Sequence, residues 1–181
     1  MSTGLTQKED LLVQSYYTFS LLAELCNNKL LESEYYDGMV FGVPQIKEDL
    51  RSIGIDNQGC VLIALYVMLV IPKEIVQQKY TSEYDSISEF LRTHTQNTST
   101  TYRKDTPTVE YLKHIRNAVA HARVEFRPHD VVIFSDKNKN TKELFSTELP
   151  LSHLGEFINQ LQKVHIAYSQ DWHQQHSQCN R

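Results

Sequence analysis

"HIRNAVAHARVEF", residues 114–126, reads as the end of an amphipathic helix running into a strand. A helical residue advances by about 100°. That spacing gathers Leu112, Ile115, Ala118, Val119 and Ala122 on one apolar face and predicts that this face meets the core. Glu110, His114, Asn117 and His121 fall on a polar stripe beside it, and Arg116 stands at the stripe's edge. From His114 to His121 there is no carboxylate to pair the arginine.

Three readings of the stripe are open. As a solvated helix face it has an unusual composition, because exposed stripes are mostly Lys and Glu. As a metal site it offers His114 and His121, which lie seven apart, whereas zinc-binding helices pair histidines at i, i+4, and no third strong ligand is near in sequence. As a phosphate site it has a histidine able to trade protons, a guanidinium able to neutralise a phosphorane and an asparagine able to orient either.

The bulk properties frame these readings. A chain of 181 residues fits one domain, residues 1–181, with a polar tail from about 173. The formal net charge of −4 does not mark a general nucleic-acid binder. The segment Tyr102–His129 differs, with six Lys or Arg against three Asp or Glu. Three cysteines, at 26, 60 and 179, follow no metal-ligand spacing and read as free thiols in a reducing compartment. "MSTGLTQKEDLL" lacks the basic and apolar regions of a signal peptide. The longest apolar run, Cys60–Ile71, is shorter than the ~20 residues a bilayer requires. The expectation is a cytoplasmic protein with no membrane partner.

Along the chain, a first helix is expected from Gln7 to Leu31 with Thr6 as its cap and Glu9 in a capping box. "YYDGMVFGVP" reads as a loop, Gln45–Arg51 as a short helix, and Asp56 as the cap of a long helix to about Lys79. That helix is apolar all round, so it belongs at the domain centre or a subunit interface, with a kink at Pro72. Ser82 is expected to cap a helix to Arg92, and "THTQNTSTTYRKDT" reads as a polar loop. Thr106 as N-cap and Pro107 at the first helical position open the motif helix. A small antiparallel β-hairpin with "KNKN" at its tip follows, and then a last helix from Ser152 to Trp172. The fold class is mainly α, a helical bundle with a hairpin before its final helix. His165, His173 and His176, and the pairs Tyr16–Tyr17 and Tyr35–Tyr36, read as tail, core and loop residues.

Arg116-Asn117-Ala118-Val119-Ala120-His121 resembles the R-x4-H motif, in its R-N-x-x-x-H form, of the HEPN superfamily of helical-bundle ribonucleases. The layout is similar as well. A hydrophobic helix ending in "YVMLVIPKE" precedes the penultimate motif helix, and a hairpin leads into "LPLSHLGEFI", as in the plasmid-borne HEPN family nucleases. The resemblance implies a homodimer in which two motif helices form a composite, metal-independent RNase site without a cofactor. His121 would be the acid/base, Arg116 the stabiliser of phosphate charge and Asn117 the orienter. Glu110 and His114 lie outside the motif and are added as RNA contacts from the stripe geometry alone. Arg103, Lys104, Arg123 and Arg127 extend the basic track for RNA. A toxin-like or host-defence element of this kind would have a cognate antitoxin or inhibitor as partner. Members silenced by nucleotidyl transfer carry a tyrosine two residues after the histidine. Here Arg123 stands there, so that regulation is not carried over.

Overall fold

A computed structural model describes residues 7–72, 75–128 and 130–177 of the chain, without the side chains of residues 7, 8 and 175–177. The expected Thr6 cap, Cys179 and the His176 side chain lie outside the described residues. Contacts group the chain into two units, Met1–Val67 and Met68–Arg181.

In the first unit, α1 (Gln7–Asn27) ends four residues before the expected Leu31 and is followed by a short 3-10 turn, Leu30–Glu32. The expected loop at Tyr35–Tyr36 is helical, in α2 (Glu34–Gly38). Ser33 caps it by accepting the Tyr36 amide at 3.1 Å, a local bond that a glycine-rich stretch conceals from pattern reading. Tyr36 is buried and donates its hydroxyl to the Lys47 carbonyl at 2.9 Å, which ties α2 to α3 (Pro44–Ile53).

Asn57, not Asp56, caps α4 (Gln58–Leu65), its Oδ1 accepting the amides of Gly59 and Cys60 at 2.8 and 3.2 Å. The long helix expected to kink at Pro72 changes earlier. It loosens into a π-turn at Tyr66–Val70. In a regular helix the residue 72 amide would serve the Met68 carbonyl, and proline has no N–H to give. His165 supplies the donor instead: its Nε2–H reaches the buried Met68 carbonyl at 3.0 Å. Burial pushes the imidazole down to about 4, so it stays neutral.

The second unit holds the sheet. The expected hairpin is present and belongs to a larger sheet: four antiparallel strands, β1 (Gln96–Thr100), β4 (Leu144–Pro150), β3 (Val131–Lys137) and β2 (Val124–Arg127), pair in that order. The extra strand, β1, comes from the segment read as a polar loop. Its side chains are mostly polar, and it is recruited as an edge by pairing Ser99 and Thr100 with Ser146 and Phe145 of β4. β3 pairs with both β4 and β2, and the loop between β3 and β4 carries the expected "KNKN" tip.

Residues Phe145, Thr147 and Leu149 alternate inward along β4 and lie opposite Asp136, Phe134 and Val132 of β3. The helices α6 (Thr81–His94), α7 (Tyr111–Ala120) and α8 (Leu151–Ser177) add Ile87 and Leu91, Ile115 and Ala118, and Phe157 and Leu161 to the buried set. A one-turn α5 (Val76–Lys79) precedes α6. α6 starts at Thr81 with Tyr80 at the cap position, and Ser82 donates to Glu83 rather than capping. Among the described residues no single helix is long and apolar enough to cross a membrane.

The His165 contact generates a linked pair of expectations. The folded chain holds this imidazole neutral down to about pH 4, while the unfolded chain protonates near 6.5. The unfolded state therefore binds more protons between those values, and stability falls as pH drops through that window, by up to about 1.4 kcal/mol per pH unit from this group. His165→Phe should lose this component of the pH dependence. At pH 7 it should cost about 1–3 kcal/mol by leaving the Met68 carbonyl without its donor. Thermal melts of both proteins from pH 4 to 7 check both.

Candidate nucleic-acid interface

The motif helix begins at Tyr111, four residues after the expected Pro107 start. Thr106–Pro107 is a cis peptide, and the chain from Arg103 to Glu110 is instead laid across the sheet end as a 3-10 turn and loop. That path delivers Asp105 to the motif helix. His114, expected on an exposed stripe, is completely buried. Its Nδ1 lies 2.8 Å from Asp136 Oδ2 and its Nε2 lies 3.1 Å from Asp105 Oδ1. Phe145 stacks on one side of the ring at 4.4 Å, and the Tyr102 ring lies 4.5 Å from it.

Each ring nitrogen thus has a carboxylate oxygen within hydrogen-bond distance. Burial pushes the Asp105 carboxyl up, but hydrogen bonds from Thr100 and His114 outweigh it and hold the acid below its ordinary value. Asp136 behaves in the same way: burial is outweighed by hydrogen bonds from Asn117, His114 and Tyr102. With both ring nitrogens engaged, His114 has none left for a metal or for RNA. Among the described residues, no three His, Cys, Asp or Glu side chains are placed to hold a metal ion.

Above this buried network lies a cleft of about 750 Å³. Asn117, Tyr102 and Asp136 line it, as does His121. Asn117 Nδ2 donates to Asp136 Oδ2 at 2.9 Å. Burial, with the Asp136 charge nearby, pushes the Tyr102 phenol up to about 12, so it remains a hydrogen-bond donor. Six cations line the cleft: Arg103, Lys104, Lys113, Arg123, Lys137 and Lys139. Only Asp136 and Glu143 oppose them. Arg123 is braced by donating Nη1 to the Lys137 carbonyl at 3.1 Å.

His121 is exposed and caps the helix C-terminus, with its amide on the Asn117 carbonyl at 3.1 Å. The next turn is a Schellman closure. Arg123 N–H reaches the Ala118 carbonyl at 2.8 Å and Ala122 N–H reaches Val119 at 3.1 Å. This turn sets where His121 and Arg123 stand.

The other sequence-derived site residues lie elsewhere. Arg116 does not line the cleft; it is half-buried and donates Nη1 to Gln77 Oε1 at 3.1 Å. Burial pushes its guanidinium down, with the Glu110 carboxylate acting the other way. Glu110 is exposed at the helix start and pairs with Lys113. Arg127 pairs with Glu125 at 2.8 Å along β2. Lys113, Lys137, Lys139, Tyr102, Asp105 and Asp136 were not anticipated. For Asp136 a signal existed: Val132, Phe134 and Asp136 share one phase of the β3 alternation, so an acid occupies a core-facing position.

The chain matches the family model described as HEPN pEK499 p136 over residues 5–172, and it belongs to that family. The mainly helical fold with a small antiparallel sheet agrees with that membership. No curated protein and no solved structure matches the chain.

The turn after His121 is itself testable. Ala122 sits at φ 51°, in the left-handed region that favours glycine. Ala122→Gly should therefore raise stability by about 0.5–1 kcal/mol, measured by denaturant melts, with the cleft unchanged.

Proposed function

We propose that this HEPN family protein is a metal-independent endoribonuclease acting as a homodimer with a composite Arg/His site, in a toxin-like or host-defence role. The observation that carries the reading is the cleft itself. On a chain of net charge −4, six cations converge around Asn117 and His121 of the R-x4-H helix. Such a concentration of charge suits a polyanion, and the tyrosine in its lining suits a stacked base.

In the proposed reaction the 2′-oxygen attacks the adjacent phosphorus and the P–O5′ bond breaks. The proton lost from the 2′-hydroxyl and the proton gained by O5′ pass through His121 side chains. The products are a 2′,3′-cyclic phosphate and a free 5′-hydroxyl. Arg116 would neutralise the phosphorane. Within one protomer it lies off the cleft that holds His121, so the pair would be completed by a second copy. A face for that copy is available on the all-round apolar helix, where Ile63 and Tyr66 remain 48% and 46% exposed. Arg103, Lys104 and Arg123 would hold flanking phosphates, whereas His114 acts from inside the fold. An antitoxin or inhibitor would have to cover or refill this same cleft.

A catalytically silent HEPN dimer acting as an RNA-binding or protein-interaction module is the second reading. It is favoured by the Arg116–Gln77 hydrogen bond, which occupies the guanidinium away from the cleft.

Turnover separates the two. His121→Ala removes an exposed side chain without opening a core cavity. It should lose about 10²- to 10⁴-fold in cleavage while melting and binding RNA like the parent. Arg116→Lys should also be severely impaired, because a point charge does not reproduce the planar fork on a phosphate. Light scattering should give about twice 21.0 kDa. Cleavage should survive a chelator and spare DNA. A clean monomer would sink the composite site, and normal cleavage by both folded variants would sink the enzymatic reading.

A further inference from the structure

We infer that Asp136 is a positioning residue for the cleft. It fixes the Asn117 carboxamide so that the amide oxygen is presented to the ligand one helical turn before His121. The inference rests on the nuclease reading for its activity readout, but its geometry stands apart from it. Asp136 is buried on the core-facing phase of β3, where the alternation calls for an apolar side chain. One of its oxygens, Oδ2, receives both the His114 ring N–H at 2.8 Å and the Asn117 amide N–H at 2.9 Å. Tyr102 donates a further hydrogen bond to the same carboxylate. Arg123 Nη1 lies 4.0 Å from its other oxygen. A single buried group thus contacts a strand-spanning set of cleft residues.

The orientation follows from donor and acceptor chemistry. An ionised carboxylate accepts only, so the Asn117 group facing it must be the NH₂ and not the carbonyl. Among the described residues nothing donates to the Asn117 Oδ1 atom, which is left as the acceptor of a side chain that lines the cleft. A carboxylate beneath an anion site would ordinarily repel phosphate. Here the carboxylate's acceptor capacity is taken up inside the fold: its Oδ2 receives the His114 ring and Asn117 amide N–H groups, and Arg123 Nη1 lies 4.0 Å from its Oδ1. Asp136 can therefore aim Asn117 while the six cations of the same cleft outnumber its charge. An acceptor at this point suits a hydroxyl of ribose or the ring N–H of a protonated histidine.

The test is a double-mutant cycle on the full-length chain with a single-stranded RNA probe. Asn117→Ala and Asp136→Asn should each lower kcat by at least tenfold, with KM within about threefold. In the Asn117→Ala background, Asp136→Asn should change kcat less than twofold, because its effect passes through the missing amide. Independent, multiplicative losses would overturn the inference. A second readout needs no turnover: the Asn117 side-chain amide proton resonances of the free protein should shift, and exchange faster with solvent, in Asp136→Asn. If the parent cleaves no RNA, unchanged resonances overturn the inference and shifted ones sustain it while the nuclease reading alone fails. If Asp136→Asn does not fold, Asp136→Asn with His114→Gln gives the new amide a neutral partner, leaves Asp105 its hydrogen bonds from Thr100 and Glu110, and carries the same measurements.

Discussion

The second unit is organised around one buried ionic contact: the His114 ring held between Asp105 and Asp136. Removing three ionisable groups from water is costly, and removing one partner from such a set typically costs about 3–5 kcal/mol because a buried charge is left uncompensated. The geometry must therefore hold. It draws the Arg103–Asp105 turn onto the motif helix, fixes that helix against the end of β3, and overrides the capping signal at Thr106–Pro107. Thr100 on the edge strand joins by donating to Asp105, so even β1 is tied to the same centre.

This arrangement also separates charge by depth. Asp105 and the His114 ring are buried, Asp136 stands between them and the cleft, and the cations of the turn, helix and hairpin line the cleft. An acidic chain can in this way present a locally basic surface. Buried charges are screened much less than exposed ones. The inner contacts should therefore persist at salt concentrations that screen the cations at the rim.

The R-x4-H spacing has a simple geometric consequence. Five residues turn a helix by about 140° from one full revolution, so Arg116 and His121 leave the helix in different directions. His121 gains further freedom by sitting at the helix end, where the closure through Ala118, Val119 and the left-handed Ala122 sets its position. Arg116 turns toward Gln77 and Tyr84, into a half-buried position where a guanidinium keeps its charge despite partial desolvation. The motif thus turns one helix face to the cleft and sends a cation from another toward α5 and α6. Bringing both to one phosphate is the work that the proposed second copy would do.

The sequence alone determined what depends on local periodicity. The amphipathic spacing of Leu112, Ile115, Ala118 and Val119 predicted the buried face of the motif helix, whereas Ala122, expected on that face, lies exposed beyond the helix end. β-Branched and aromatic clusters located the hairpin and its charged tip. The motif and layout pointed to the family. Tertiary structure decided what depends on partners distant in the chain. The strand β1 has no apolar alternation of its own and exists through its pairing with β4. His114 looked like part of a solvated stripe because its two carboxylates lie 9 and 22 residues away. Met68 and His165 are 97 residues apart, so the donor that answers Pro72's missing N–H was invisible locally. A helix pattern records which residues share a face, but whether that face meets water, a buried acid or a phosphate is set by what the rest of the chain folds against it.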